Sequence, residues 1–529
     1  MSFKIDYYLH FIMRKEFNIT GICRPAKHYM ANISVKLGAT LQFVERGKYF
    51  IINRPRQYGK TTMLYTLAHT LREQGDYVVF NISFEGIGDD IFKEESVFAP
   101  GLLRLFIEQA EVYSLELLPI LKQKEKEVDS LGSLSKAITV VTRQSSKKVV
   151  LLIDEVDKSS NNQLFINFLA MLRNKFLAQD DVSTFHSIVL AGLYDIKTLK
   201  SKIRPDEEKK YNSPWNIATD YKVNMNLQVT EIIPMLEDYM LESGVKMDTQ
   251  NIAESLFYYT SGYPFLVSKL CKMMDEDFLK HDIWTEKDIE FSVKQLLKET
   301  NTNFDSLVKH IENDRELYDW VYHIAVNSNS PSFNILNPLT NLGVLYGIFA
   351  EKNDRIVIHN RIYNELLIDY MRERLYQQTL SKSNEIGSGY KNADNSLNMH
   401  ALFLGFQAFM KKEYSRKDRD FLEKNGRLVF LAFLKPIING EGFDFKEAQI
   451  SDEKRLDVVV THLNKKYIIE MKLWRGEQAH QKGLEQLCDY LDRQSLSEGY
   501  LLIFDHAEVK EWKAEEIEMN GKKISAYWA

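Results

Sequence analysis

Apolar and polar positions alternate in blocks along the first two hundred residues, and the blocks change period. ISVKLGATLQFV (33–44) has helical spacing, YFIIN (49–53) and DYVVFNIS (76–83) are short β-rich runs, and between them RPRQYGKTTMLYTLAHTLREQG (54–75) reads as a turn followed by an amphipathic helix. KKVVLLIDEVD (147–157) and FHSIVLAG (185–192) are two more buried strands, separated by the helix NQLFINFLAMLRNKF (162–176). Short apolar strands alternating with helices predict a parallel α/β sheet covered on both faces. From about 228 to 375 the pattern turns mainly helical, with turns at Gly262-Tyr263-Pro264 and at Ser328 to Pro331. GVLYGIFAEKNDRIVIHNRIYNELLIDYM (343–371) reads as helix end, β-hairpin with a polar turn, then helix, the order of a winged-helix module.

Residues 377–398, QQTLSKSNEIGSGYKNADNSLN, are polar and lack periodicity, so they are the expected linker. The domains expected are therefore 1–227, an α/β core; 228–310, a helical lid; 311–376, the winged-helix-like module; 377–398, the linker; and 399–529, a second α/β domain. A chain of 529 residues accommodates three or four such units.

Composition changes this picture little. Lys and Arg number 68 against 74 Asp and Glu, a net charge of −6, so contact with nucleic acid requires a local basic surface. The three cysteines, Cys23, Cys271 and Cys488, lie too far apart for a disulfide framework or a zinc cluster, and a reducing cytoplasm is the expected location. VVLLI (149–153) and LVFLAFL (428–434) are too short to span a bilayer, and MSFKIDYYLHFIMRKEF lacks the apolar stretch of a signal peptide, so no membrane association is expected.

Two constellations carry chemistry. Asn53 to Thr62, NRPRQYGKTT, lies between a strand and a helix and approximates the phosphate-binding loop G-x-x-x-x-G-K-[ST], with Arg54 where the first glycine is usual. In such a loop the backbone from Arg56, Gln57, Tyr58 and Gly59 to Thr62 faces phosphate oxygens, Lys60 neutralises their charge, and the Thr61 hydroxyl ligates Mg²⁺. A bare Gly-Lys-Thr is usually an ordinary loop. Here Leu151-Leu152-Ile153-Asp154-Glu155 follows in the right order, an apolar strand ending in two carboxylates: Asp154 for the Mg²⁺ shell and Glu155 to polarise an attacking water. The cofactors expected are ATP and Mg²⁺.

The second constellation is a hairpin. Asp457 opens LDVVVTH, a polar turn at Asn464-Lys465-Lys466 follows, and YIIEMKL returns with Glu470 and Lys472 on one face by the period-2 rule. Two carboxylates and an ammonium then converge, which suits phosphodiester hydrolysis: Asp457 and Glu470 as Mg²⁺ ligands, Lys472 orienting water or offsetting charge. On its own, D-x(12)-E-x-K is a weak signal, and a salt-bridged hairpin face is the ordinary alternative. The helix 476–494 follows, with an apolar stripe of Leu484, Leu487 and Leu491 and with Gln486 and Tyr490 together on another face, and the strand YLLIFD closes the unit. Glu423, Glu447, Gln449 and His480 lie nearby, and for each a solvent-facing or capping role is the simpler reading. Lys454, Arg455, Lys465, Lys466, Arg475 and Lys482 are interleaved with Tyr467 and Trp474 and offer phosphate contacts.

These residues, together with Lys27 to Met30, Ser83 to Gly86, Ala191 to Asp195 and Ser213 to Ile217, resemble bacterial ATP-binding proteins of the AAA-like group. That group is close to the STAND and archaeal-type ATPases, and its members carry a C-terminal PD-(D/E)XK nuclease domain. The resemblance implies a P-loop NTPase sheet with lid and winged helix, followed by a restriction-endonuclease-like α/β domain in which Asp457, Glu470, Lys472, Gln486 and Tyr490 are catalytic, the last two matching the Q-x-x-x-Y element of RecB-like nucleases. It also implies that Pro264, in a G-x-P turn, packs near the adenine, that Gly192 marks the sensor region, and that Arg56 and Arg204 are candidate transition-state arginines. The function expected is an ATP-regulated, Mg²⁺-dependent nuclease acting on DNA rather than RNA, in defence against phage or mobile elements, with room for a homo-oligomer. The alternative is an ATP-driven switch or assembly protein whose nuclease-fold domain binds without cutting.

Overall fold

In the computed structural model, the described residues are 14–113, 115–156, 163–192, 215–278, 282–326, 331–379, 390–413, 442–445, 458–462, 465–474, 476–505 and 512–529, with 426, 429–431, 433–434 and 437. They fall into two compact units: one takes the chain to Asn313 with Asn334–Ala350 and His359–Ile362, the other Asp314–Phe333, Glu351–Ile358 and the chain from Tyr363 onward.

In the first unit α1 (Ser34–Glu45) leads into β1 (Tyr49–Asn53), and α2 (Lys60–Gln74) leads into β2 (Tyr77–Ser83). Met63, Leu64, Leu67, Ala68 and Leu71 bury one face of α2 at the i, i+3, i+4 spacing that drives an amphipathic helix onto a sheet. Three helices follow, α3 (Glu95–Val112), α4 (Leu118–Glu125) and α5 (Leu131–Gln144), the last started by a capping box between Ser130 and Ser133. Then come β3 (Lys148–Asp154), α6 (Gln163–Leu177) and β4 (Ser187–Gly192).

The strands form a parallel sheet in the order β1-β4-β3-β2. Residues 149–154 of β3 and all of β4 are buried, which is why both read as unbroken apolar runs rather than alternating ones. The expected parallel α/β sheet is present. The order brings the carboxyl ends of β1, β4 and β3 to one edge, where open parallel sheets bind ligands.

Helices α7 (Val229–Ser243), α8 (Thr249–Thr260), α9 (Pro264–Met273), α10 (Glu286–Leu296) and α11 (Thr302–Glu312) continue this unit. Further along the chain come α12 (Arg315–Val326), α13 (Pro338–Leu345), which belongs to the first unit, the hairpin β5 (Phe349–Lys352) and β6 (Arg355–Ile358), and α14 (Arg361–Thr379). The hairpin turns at Asn353 and Asp354, both at positive φ (51° and 58°), as a tight two-residue hairpin turn requires.

In the second unit α15 (Met399–Glu413) is followed by β7 (Gly442–Phe445), β8 (Val458–His462), β9 (Lys465–Leu473), α16 (Glu477–Arg493), β10 (Glu498–Phe504), β11 (Ala514–Met519) and β12 (Lys522–Trp528). They build a mixed six-stranded sheet in the order β11-β12-β10-β9-β8-β7. β9, β10 and β12 run parallel, and β7, β8 and β11 run antiparallel to their neighbours. One face packs on α15 through Leu402, Phe403 and Phe406, the other on α16 through Leu484, Leu487 and Leu491.

Three expectations are corrected. The sheet does not close at YLLIFD, because β11 and β12 extend it. Lys465 and Lys466 are strand residues of β9, paired with His462 and Thr461, rather than part of a turn. The stretch 377–398 is not a plain linker: 377–379 end α14, while Asn392 N–H donates to the Ser396 carbonyl, Leu397 N–H to the Tyr467 hydroxyl (3.2 Å), and Lys465 pairs with Asp394 at 3.0 Å. Asn, Asp and Ser make their own side-chain turns, so this composition fits a folded turn as well as a linker. Among the described residues no helix is long and apolar enough to cross a membrane.

Candidate functional site

The loop after β1 is shaped by two left-handed residues, Gln57 at φ 56° and Gly59 at φ 80°. Gly59 is the residue before α2, and its conformation turns the first amides of the helix toward the loop, where a helix N-terminus favours an anion. Lys60 is 6% exposed, and its Nζ donates to the carbonyls of Arg54 and Pro55, each at 2.9 Å. Its ammonium thus lies inside the loop on acceptors that phosphate oxygens can replace.

Asp154 ends β3 with 4% exposure, and its Oδ1 accepts the Glu155 amide at 2.9 Å. Glu155 turns away from the strand at φ 53°. β4 lies between β1 and β3, so loop and carboxylates sit about 10 Å apart across two strand spacings. Gly192, at the end of β4, accepts the Arg54 amide at 3.3 Å. Thr61, Thr62 and Arg56 stand on the same loop and helix start, Arg56 exposed. Gln57 Oε1 is buried without a hydrogen-bond partner, and because an amide can rotate the position offers a donor equally well. Arg204 lies outside the described residues.

Side chains from distant segments hold this loop. The buried Tyr58 hydroxyl donates to Asn226 and meets His359 Nε2 at 2.9 Å, while Asn360 Nδ2 lies 3.3 Å from His359 Nδ1. All three contacts are satisfied with the imidazole proton on Nε2. Burial lowers the His359 pKa to about 4, so the ring is neutral. Tyr263 crosses Tyr58 edge-on with centroids 4.7 Å apart, and its hydroxyl donates to the Arg56 carbonyl at 2.6 Å. Arg54 lies over the Tyr221 ring and donates to the Val223 carbonyl at 2.8 Å.

Beside Gly59 and Thr62 opens a cavity of about 90 Å³, lined by Tyr29, Met30, Ile33, Met225, Leu227 and Pro264. Pro264, first residue of α9, is where the lid meets it. Gly262 lies against Leu227 so closely that a Cβ would fall 2.0 Å from the Leu227 carbonyl oxygen.

The strap before α1 is pinned at several points. Cys23 N–H donates to Thr62 Oγ1 (3.1 Å), Arg14 pairs with Asp275 (3.0 Å), Lys15 with Asp238 (2.8 Å) and Lys272 with Glu16 (3.2 Å). Phe17 is buried between Tyr29 and Tyr239. Sequence reading assigned no role to the strap, Asn226 or His359. Their only signals were the quoted Lys27-to-Met30 stretch and a histidine just past the hairpin.

In the second unit Glu470 and Lys472 share the face covered by α16. Their register partners Leu501 and Ile503 belong to the apolar cluster on that side. Glu470 is 2% exposed, and its Oε1 meets Lys472 Nζ at 2.7 Å. The Lys472 stem runs beneath Gly483 of α16, 3.5 Å from where a Cβ would be.

Of the two residues expected to share a face of α16, Tyr490 is buried in the apolar cluster and Gln486 is exposed. The i,i+4 spacing fixes only where side chains leave the helix, and the phenol ring turns into the core. Asp457, Glu423, Glu447, Gln449, Lys454, Arg455 and Arg475 lie outside the described residues. Among the described residues no group of three or more His, Cys, Asp or Glu is placed to hold a metal.

A parallel sheet whose first strand runs into a Gly-Lys-Thr loop, with an acidic strand end on the same edge, defines an α/β protein of the P-loop kind. The chain belongs to the AAA-like domain family, which matches residues 24–365, most of its length. It is 21% identical over 313 residues to an uncharacterized WD repeat-containing protein of Synechocystis sp., covering 58% of this chain and 24% of that protein. The chain thus spans about a quarter of the length of that curated relative.

Among solved structures it is similar to a Walker-type ATPase of Pyrococcus abyssi (12% identity, 66% of this chain and 99% of that one, TM-score 0.48). It is also similar to the ORC2 protein of Aeropyrum pernix in ADPNP-ADP complexes (13%, 68% and 98%, TM-score 0.36). A third is the RuvB Holliday junction branch migration motor of Thermotoga maritima (16%, 63% and 93%, TM-score 0.31).

Proposed function

We propose that the chain is an ATP-hydrolysing protein whose nucleotide state licenses a Mg²⁺-dependent nuclease in its C-terminal unit, with DNA as the substrate. The observation that carries the first half is the juxtaposition of Lys60, folded inside its loop, with the apolar cavity at Gly59 and Thr62. A triphosphate placed on the α2 amides exchanges the Arg54 and Pro55 carbonyls for its own oxygens at Lys60 Nζ. A flat purine then fills the cavity between strap and lid, against Pro264. The Thr61 hydroxyl and the Asp154 carboxylate, both hard oxygen donors, suit Mg²⁺, which when bound polarises the phosphate. Glu155 orients and polarises the attacking water.

The Glu470–Lys472 pair supports the second half. Lys472 sits where it can orient a water or offset charge on a phosphate, Glu470 is a hard-oxygen ligand for Mg²⁺, and Asp457, Gln486 and Tyr490 complete the proposed set. Exposed Lys466 and Lys482 lie on the same unit and favour a polyanion. The family match ends at residue 365, so this half rests on the site alone. The test is incubation of the whole protein with linear, circular and single-stranded DNA and with RNA, with and without Mg²⁺ and ATP, beside Asp457→Ala and Lys472→Ala. Cleavage surviving both substitutions refutes the assignment.

A second reading is favoured by one specific observation: Glu470 is tied to Lys472 at 2.7 Å. On that reading the C-terminal unit is a binding platform and the protein an ATP-driven switch or assembly factor. It expects nucleotide-dependent self-association, lost in Lys60→Ala, and no cleavage of any nucleic acid.

A further inference from the structure

β9, β10 and β12 are parallel neighbours, so their carboxyl ends lie side by side, and three aromatic rings gather there. Trp474 follows β9 directly, and its amide donates to the Phe504 carbonyl at 2.9 Å, continuing the parallel ladder one residue past the strand. Period 2 then places Glu470, Lys472 and Trp474 on one face. Trp528 lies in the same row, since it pairs with Ile503 and Ile503 pairs with Lys472. His480, on the first turn of α16, completes a triangle with ring centroids 5.6 Å from Trp474 and 5.6 Å from Trp528, while the two indoles are 6.3 Å apart.

The rings differ in exposure. Trp528 is buried at 3%, with Lys513 Nζ 4.3 Å from its centroid, and forms the floor. Trp474 and His480 are only half-buried, whereas Leu484, Leu487 and Leu491 on the same face are buried. Half-open aromatic surface two residues from a lysine and four from a buried carboxylate combines a stacking plane with a charge suited to a neighbouring phosphate.

We propose that Trp474 and His480, on the Trp528 floor, form a stacking site for one unpaired base of a single-stranded nucleic acid strand, placing the adjoining phosphate at Lys472. The proposal rests on the nuclease reading of the C-terminal unit and deepens it by naming the substrate form. The base stacks on the open side of Trp474 rather than between two rings, because a sandwich needs centroids about 7 Å apart, twice the ~3.5 Å contact distance. Every base has a π-face, so the site tolerates any sequence but rejects a strand without bases and a fully paired one, whose bases are stacked already.

The test is fluorescence anisotropy of the full chain, in EDTA to suppress cleavage, with a labelled short oligothymidylate, an abasic strand of the same length and a blunt duplex, alongside a separate cleavage assay in Mg²⁺. Trp474→Ala weakens binding of the oligothymidylate roughly five- to hundredfold, the range for loss of one stacked base. Trp474→Phe restores most of it, and the abasic strand binds wild type as weakly as the oligothymidylate binds Trp474→Ala. Thermal melting shows whether Trp474→Ala is folded, and the Trp474→Phe and abasic comparisons test the site if it is not. Equal affinity for the abasic strand and the oligothymidylate, or equal binding by wild type and a folded Trp474→Ala, overturns the stacking site. Wild-type cleavage by Lys472→Ala instead sinks the nuclease reading, whatever the anisotropy shows.

Discussion

Tyr58 in the phosphate loop and His359, 301 residues further along the chain, meet through a hydrogen bond of 2.9 Å. The contact ties the loop to the residue that follows the β5–β6 hairpin, and Tyr263 stands edge-on to both rings. Any displacement of the loop around Tyr58 would therefore be felt directly by this histidine. Tyr58→Phe leaves the buried groups of His359 and Asn226 without the hydroxyl between them, at a cost of about 1–3 kcal/mol. A lowered melting temperature together with weaker nucleotide binding is the expected result.

The same histidine gives the protein an acid-sensitive element. Its folded pKa is about 4, below the unfolded value of about 6.5, so the unfolded chain binds the extra proton first. Its contribution is fully present above pH ~6.5 and is lost as pH falls toward 4, on the order of 3 kcal/mol over the whole window. Melting temperatures measured from pH 7.5 to 5 decline more steeply in wild type than in His359→Gln, which keeps a donor for Tyr58 and has no proton to gain. Parallel curves would remove His359 from the explanation.

Gly262 sets how closely the lid turn approaches the cavity wall. Gly262→Ala places a methyl 2.0 Å from the Leu227 carbonyl oxygen at a φ of 72°, so the turn and the 225–227 segment must separate. A destabilisation of about 2–4 kcal/mol is expected from strain and overpacking together. Nucleotide affinity falls as well, because both displaced segments wall the cavity. Denaturant titration and calorimetric titration with ATP check the two effects.

The strap is held by an aromatic anchor and by ion pairs on the protein surface, and these respond differently to salt. Phe17→Ala empties a fully buried site and costs about 3–5 kcal/mol locally. Lys15→Ala removes one partly exposed pair and costs at most about 1 kcal/mol. Nucleotide binding therefore drops sharply in Phe17→Ala and only slightly in Lys15→Ala. The slight loss shrinks further in high salt, where the wild-type pair is itself screened.

The parts of this molecule that were legible in its sequence are those governed by local periodicity. β3 and β4 announced themselves as unbroken apolar runs because a parallel strand is buried on both faces, and Glu470 and Lys472 fell on one face because the strand period is 2. Long-range side-chain pairing was invisible: nothing near Tyr58 foretells His359, and nothing near Tyr29 foretells Met225 in the lining of the same cavity. β11 was missed for another reason. As an edge strand it reads AEEIEM, with Glu515 and Glu516 exposed, a charged pattern that protects an edge and hides a strand. Tyr490 shows the limit of helix-face reasoning, since Gln486 leaves the same side of α16 yet stays in solvent.

The phosphate loop is tested by charge. Lys60→Ala removes the ammonium proposed to hold β- and γ-phosphate oxygens and is expected to weaken ATP binding by roughly ten- to hundredfold, as for the loss of charge-assisted hydrogen bonds. Glu155→Gln preserves binding and stops turnover. Equal ATP affinity in wild type and Lys60→Ala would place the nucleotide elsewhere.

Nucleotide control of strand cleavage is the centre of the account, and one assay addresses it: Mg²⁺-dependent cleavage of DNA by the whole protein, followed with and without ATP, in wild type, Lys60→Ala and Lys472→Ala. The account predicts a wild-type rate that changes with ATP, a Lys60→Ala rate indifferent to it, and no cleavage by Lys472→Ala. Undiminished cleavage by Lys472→Ala, or an ATP-hydrolysing wild type that cuts no nucleic acid under any condition, contradicts it.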